Sequence, residues 1–195
     1  MRSVVALRKL LLLGALSAVA SLLAGCSGLS DPPPLGDSGN GGRACALAPL
    51  GKPVDMDMYE LNNQGTAPVT VRSVSLPNAH DMAMTEAWLV PLNTRGPQLG
   101  VGQPFPPVTY PLWADRVPAA GAVIQPGQVL QLAFGVFLTT AADGSSDGPM
   151  VVYNAGRAIY TLRERFSLAA AHVKCGDVFP PPPQLLSAAK GAVSG

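Results

Sequence analysis

Apolar and polar residues alternate with period two along most of the chain from about residue 44 to 178, the pattern of half-buried strands. Leu130, Leu132, Phe134, Val136 and Leu138 show it most clearly, on one face of a segment opened by a Pro126–Gly127 turn. Val54 to Leu61 predicts a strand closed by the turn cluster Asn62-Asn63-Gln64-Gly65. Pro68 to Leu76 carries Val69 and Val71 in one phase, then Val74 and Leu76 in the other. Because strand faces alternate, this switch predicts a bulge near Arg72-Ser73 or burial on both sides. Ala87 to Leu92 predicts a short strand containing Trp88. Met150 to Tyr153 and Ala158 to Leu162 flank Asn154-Ala155-Gly156 as a hairpin. Phe166, Leu168, Ala170 and His172 run toward Cys175 with the same period. About seven short strands with turn signals between them predict an all-β fold, an antiparallel sandwich spanning residues 44–178.

The flanks read differently. Residues 1–25 begin with Arg2, Arg8 and Lys9 and continue as an apolar run through Leu22-Leu23, the charged and hydrophobic regions of a signal peptide. Residues 26–43 are rich in Ser, Pro, Gly and Asp, a composition that predicts a flexible stalk. Its Gly36-Asp37-Ser38-Gly39 mimics the nucleophile motif of trypsin-like proteases, but nothing folded precedes it and both histidines lie downstream. Residues 179–195 open with prolines and predict a disordered tail.

Charged residues make up only 13% of the chain, and Lys+Arg 13 against Asp+Glu 12 leaves no basic excess to neutralise phosphates. Nucleic acid is therefore not an expected partner. Gly 21 and Pro 20 exclude long helices over most of the length. No GxSxG elbow, HExxH, P-loop or GxGxxG occurs, so no enzyme is expected.

Leu23-Ala24-Gly25-Cys26 resembles a bacterial lipobox. The resemblance implies cleavage before Cys26, acylation of its thiol, and a chain held on the cell membrane, facing outside the cytoplasm. Two or three acyl chains anchor stably where one does not. Cys45 and Cys175 then remain in an oxidising compartment, where a disulfide is the default. Tyr59-Glu60-Leu61-Asn62-Asn63 with Ala67-Pro68-Val69-Thr70-Val71, and later Ile124-Gln125-Pro126-Gly127-Gln128, resemble immunoglobulin-like modules on bacterial surface proteins. That resemblance implies a fold and carries no catalytic residues.

Three groups of residues invite a functional reading. Met56 and Met58, with His80, Met82 and Met84, have the two-residue spacing that puts soft ligands on one strand face, and similar spacing occurs in exported Cu(I) carriers. The competing expectation is that these methionines fill the core. Asp55 and Asp57 fall on the face opposite Met56 and Met58, which predicts a solvated acidic face. The Pro- and Gly-rich segment from Asn93 to Ala122 carries Phe105, Tyr110 and Trp113, either recognition anchors on a binding loop or rings folded back as a cap. The overall expectation is a lipid-anchored, exported, non-enzymatic module. It would need no cofactor and bind an unknown protein or envelope component. A copper-handling lipoprotein is the alternative.

Overall fold

The computed structural model describes residues 32–37, 42–57, 59–95 and 98–177. Its extended segments, in chain order, are β1 (Leu35–Asp37), β2 (Gly42–Leu47), β3 (Val54–Met56), β4 (Tyr59–Asn63), β5 (Val69–Ser75), β6 (Met82–Pro91) and β7 (Val101–Pro104). They continue with β8 (Val117–Pro118), β9 (Val123–Ile124), β10 (Val129–Leu138), β11 (Gly144–Asp147), β12 (Met150–Ala155), β13 (Ala158–Arg163) and β14 (Phe166–Ala171). The described residues hold no α-helix, only short 3-10 turns at Trp113–Asp115 and Cys175–Asp177. None of their helices is long and apolar enough to cross a membrane.

The expected all-β sandwich is what forms, with more and shorter strands than about seven. β10 organises it. Its ten residues contain no charge and no proline, and it pairs with β6 on one edge and with both β3 and β4 on the other. The single strand expected over Val54 to Leu61 is thus two, laid end to end along β10. Gly135 faces Asp55 and Leu132 faces Tyr59, a register offset of one residue that marks a bulge between them. Core-facing positions accordingly switch from Val54 and Met56 to Tyr59 and Leu61. The bulge expected near Arg72-Ser73 is also present: Val152 faces Ser73, Tyr153 faces Val71, and Arg72 is left over.

Three sheets result. The largest runs β1-β4-β10-β3-β7, with β6 and β8 joined through β10. A second runs β11-β14-β2 and a third β13-β12-β5-β9. Among the described strands every pairing is antiparallel except β2 with β14, which is parallel; an isolated parallel bridge also joins Leu50 to Leu138. The main core lies where Leu61, Leu132, Phe134 and Val136 of the large sheet meet Val71, Val151 and Tyr153 of the third and Leu168 of the second. Tyr59 stacks on Phe134 with ring centres 5.8 Å apart and meets Phe166 edge-on at 5.6 Å. The β12–β13 hairpin closes through Gly156, whose φ of +58° suits a glycine.

Some boundaries move. Within the expected stalk, Leu35–Asp37 pair with β4, and Gly42 and Arg43 begin β2 against β14. Burial of Leu35 explains the first: its side chain is buried, and its N–H donates to the Tyr153 hydroxyl. Gly144–Asp147, which reads as turn composition, is a strand on β14. His172 lies just past β14 and is exposed, its N–H donating to Asp143 Oδ1. The expected signal peptide, Cys26 and the expected tail fall outside the described residues.

Cys45 and Cys175 form the expected disulfide, with Cα atoms 5.7 Å apart across 130 residues of sequence. It ties β2 to the turn that follows β14.

Candidate functional site

Because β10 is central, it has a second face. Gln131, Ala133 and Gly135 point away from the main core, as do Val90 of β6 and Asp55 of β3. The chain from residue 98 to 116 folds over this face and covers it. Leu99, Phe105, Tyr110 and Trp113 bury against Val90 and Ala133 as a second, smaller core. Trp113 meets Phe105 edge-on at 5.6 Å and Trp88 at 6.2 Å. The Arg116 guanidinium lies 4.8 Å from the ring centres of both Trp88 and Trp113, and its NH1 donates to the Trp113 carbonyl. Close approach needs Gly135, since a Cβ there would sit 2.7 Å from the Phe105 ring. Gly135 N–H instead donates to Thr85 Oγ1 on the neighbouring strand.

Phe105, Tyr110 and Trp113 are therefore cap residues. Their exposures are 9%, 7% and 5%. The segment is also less irregular than its prolines imply, for β7 pairs with β3 and β8 with β6.

The cap overturns the expectation of a solvated acidic face. Asp55 and Asp57 are 1% and 0% exposed. The sequence shows alternation but not what lies over the second face. Asp55 Oδ1 accepts the Gln103 N–H of β7. Asp57 sits at the bulge, where its N–H donates to the Gly100 carbonyl and its Oδ1 accepts the Phe134 N–H. Gln131 spans the layer, donating from Nε2 to the Asp57 and Leu99 carbonyls. Asp57 Oδ2 and Gln131 Oε1 remain buried without a hydrogen-bond partner. Neither aspartate makes an ion pair among the described residues.

Both carboxyls hold protons unusually well. Burial pushes Asp55 up to about 6, against the opposing pull of the Gln103 and Gly102 N–H groups. Burial and then the neighbouring Asp55 charge push Asp57 up to about 8, with the Phe134 N–H opposing. Burial also raises the Tyr110 phenol.

Beside Asp55 a cavity of about 470 Å³ opens between β7 and the cap. Pro104, Pro106, Pro107 and Pro111 form much of its wall, with Leu99 and Tyr110, while Gln103 and Thr109 add polar groups. Val108 stands exposed among these lining residues. No motif marks this site in sequence; the only signal is Asp-x-Asp in a strand, which reads as an ordinary solvated face.

The methionine set does not assemble as an exposed cluster. Met56 and Met82 are buried in the main core, Met84 is half-buried against it, and His80 is exposed, bridged to Ser145. Met58 lies outside the described residues. Among the described residues, no group of three or more His, Cys, Asp or Glu side chains is placed to hold a metal ion.

Neither a family model nor a curated protein matches this chain. Among solved structures it is similar to the ASH / PapD-like domain of human CEP192 (PapD-like domain 7), at 12% identity over 77% of this chain and 94% of that one, with a TM-score of 0.41. A likeness at that level carries no argument about function.

Proposed function

We propose that this chain is a non-enzymatic binding module, exported and held by a lipid on Cys26 at the outer side of the cytoplasmic membrane, presenting its capped cavity to a ligand or envelope partner. The observation that supports the reading is the cavity beside Asp55. Its volume of about 470 Å³ falls within the roughly 300–1,000 Å³ of small-molecule sites, which are mostly apolar with a few placed polar groups. Pre-formed proline walls lose little freedom on binding.

A catalytic reading has less support. Asp57, the carboxyl with a pKa suited to proton transfer near neutrality, is fully buried and is not among the cavity's walls. Among the described residues lining the cavity, Asp55 is the one acid.

Two measurements test the proposal. Amide NMR of the folded domain with a small-fragment set should move the Gly100, Gln103 and Thr109 signals together at millimolar ligand. Silence at those positions across the set rejects a binding role for the cavity. Cys26→Ala should shift the protein from the membrane fraction to the soluble exported fraction. Retention after carbonate washing rejects the lipid anchor.

A further inference from the structure

We propose that the outer edge of β13 takes an acidic, extended segment of a partner protein as an added antiparallel strand. This edge is separate from the cavity, so the inference goes beyond the binding role proposed above.

Among the described residues β13 pairs with β12 alone and ends its sheet. Two residues, Gly156 and Arg157, separate the paired Ala155 and Ala158. In so tight a hairpin the closing pair is hydrogen-bonded, and bonded pairs recur at every second residue. The Glu164 N–H keeps that phase, donating to the Pro149 carbonyl at 3.3 Å. Ala158, Tyr160 and Leu162 therefore bond inward, while the N–H and C=O groups of Ile159, Thr161 and Arg163 point away from the sheet. Among the described residues these outward groups meet no partner. β1 comes near but bonds to β4. An open row of this kind is a template for another strand. The other outer strands are shorter, except β2, which lies against β3 and β7.

The side chains select the occupant. β5, β9, β12 and β13 contain no acidic residue. Arg163 lies on the outward row, Arg157 in the turn before it and Arg165 just after the strand. All three are exposed, and their guanidiniums make no ion pair among the described residues. Of the acids beside them, Glu164 is buried, and Asp147, which shares a groove with Arg163 and Arg165, accepts from Asn78. Ile159 stands 60% exposed on the same row. An antiparallel strand that matches it reads acid-x-apolar-x-apolar-x-acid, with its acids against Arg163 and Arg157 and an apolar residue against Ile159. A second copy would set arginines against arginines. A lipid headgroup would match the arginines but leave the backbone row unpaired.

The test titrates the oxidised, folded chain at low salt, by amide NMR, with the acetylated peptide amide ESETVTVSE. Two controls accompany it: the same peptide with lysine in place of glutamate, and one with proline in place of the first valine. The glutamate peptide should move the Ile159, Thr161 and Arg163 amides and slow their hydrogen exchange. It should bind at least about tenfold more tightly than either control. Arg163→Glu should abolish the preference for glutamate over lysine. Thr161→Pro removes one outward N–H and no inward bond, and should weaken the peptide at least about tenfold. If that variant fails to fold, the proline peptide makes the same test on the wild type.

Equal binding of the lysine peptide overturns the acidic partner, and equal binding of the proline peptide overturns strand addition. Self-association that moves Thr161 overturns the proposal in favour of a second copy. Binding to phosphatidylglycerol vesicles with silence from the peptide overturns it in favour of a lipid surface. Peptide shifts confined to Gly100, Gln103 and Thr109 overturn it while leaving the cavity a binding site.

Discussion

Replacing Asp57 with Asn should make the protein more stable at alkaline pH and leave it nearly unchanged at pH 5. Asp57 is fully buried, one oxygen accepts the Phe134 N–H, and the other has no partner. Its pKa, pushed up to about 8 from 3.8, lies above the unfolded value. The native chain therefore holds a proton that the unfolded chain releases, and stability falls as pH rises through that window. Each pH unit between the two values is worth about 1.4 kcal/mol per group. Between pH 5 and 7 Asp57 alone should cost roughly 3 kcal/mol, and Asp55, whose window closes near pH 6, adds roughly 1 kcal/mol. Asn keeps the acceptor for Phe134 and places an N–H donor where the protonated carboxyl would have one, without ionising. Urea unfolding of both proteins at pH 5, 6, 7 and 8 should give curves that separate by about 4 kcal/mol over that range. Parallel pH profiles would show that Asp57 ionises freely in the native state, and the account of the acidic layer would fail.

Three further outcomes follow from the packing. Trp113→Ala should cost about 3–5 kcal/mol in urea titration, as for a large core aromatic; a loss below about 0.5 kcal/mol would place the ring on the surface. Gly135→Ala should cost about 1–3 kcal/mol, because the new methyl would press on Phe105, with NMR changes concentrated in the cap; an unchanged Tm would contradict the close approach. Replacing Cys45 and Cys175 together with Ala should cost up to about 5 kcal/mol in the chain-entropy account, whereas two alkylatable thiols in the native protein would mean the bond does not form.

How far the sequence reached follows from which interactions are local. The face of β10, the phase switch at Arg72 and the β12–β13 hairpin follow from period two and turn chemistry within a few residues. Counting left Cys45 and Cys175 as partners. Other features depend on what arrives from far along the chain. The alternation of Asp55 and Asp57 with Met56 marks two faces but does not say that both are covered, and a cap some fifty residues away decides it. The offset between β3 and β4 shows only against β10, because the Val54 to Leu61 pattern reads as unbroken on its own. Leu35 was hidden by its neighbours, since composition averages away one leucine that finds a pocket. The cavity has no sequence signature because its walls are prolines, which mark a loop without saying where it folds.

The Cys45–Cys175 bond also sets the route that mechanical load takes through the molecule. A pull between the N-terminal and C-terminal sides of the chain enters at Cys45 and leaves at Cys175 across a covalent link whose Cα atoms are 5.7 Å apart. The 130-residue separation it spans, with the sandwich core, the cap and the cavity, is bypassed. Only what lies outside the link carries tension, notably β1, whose Leu35–Asp37 rungs on β4 would be shed first. In reducing conditions the same pull would instead bear on β2 and β14 along their parallel register, loading their hydrogen bonds in shear.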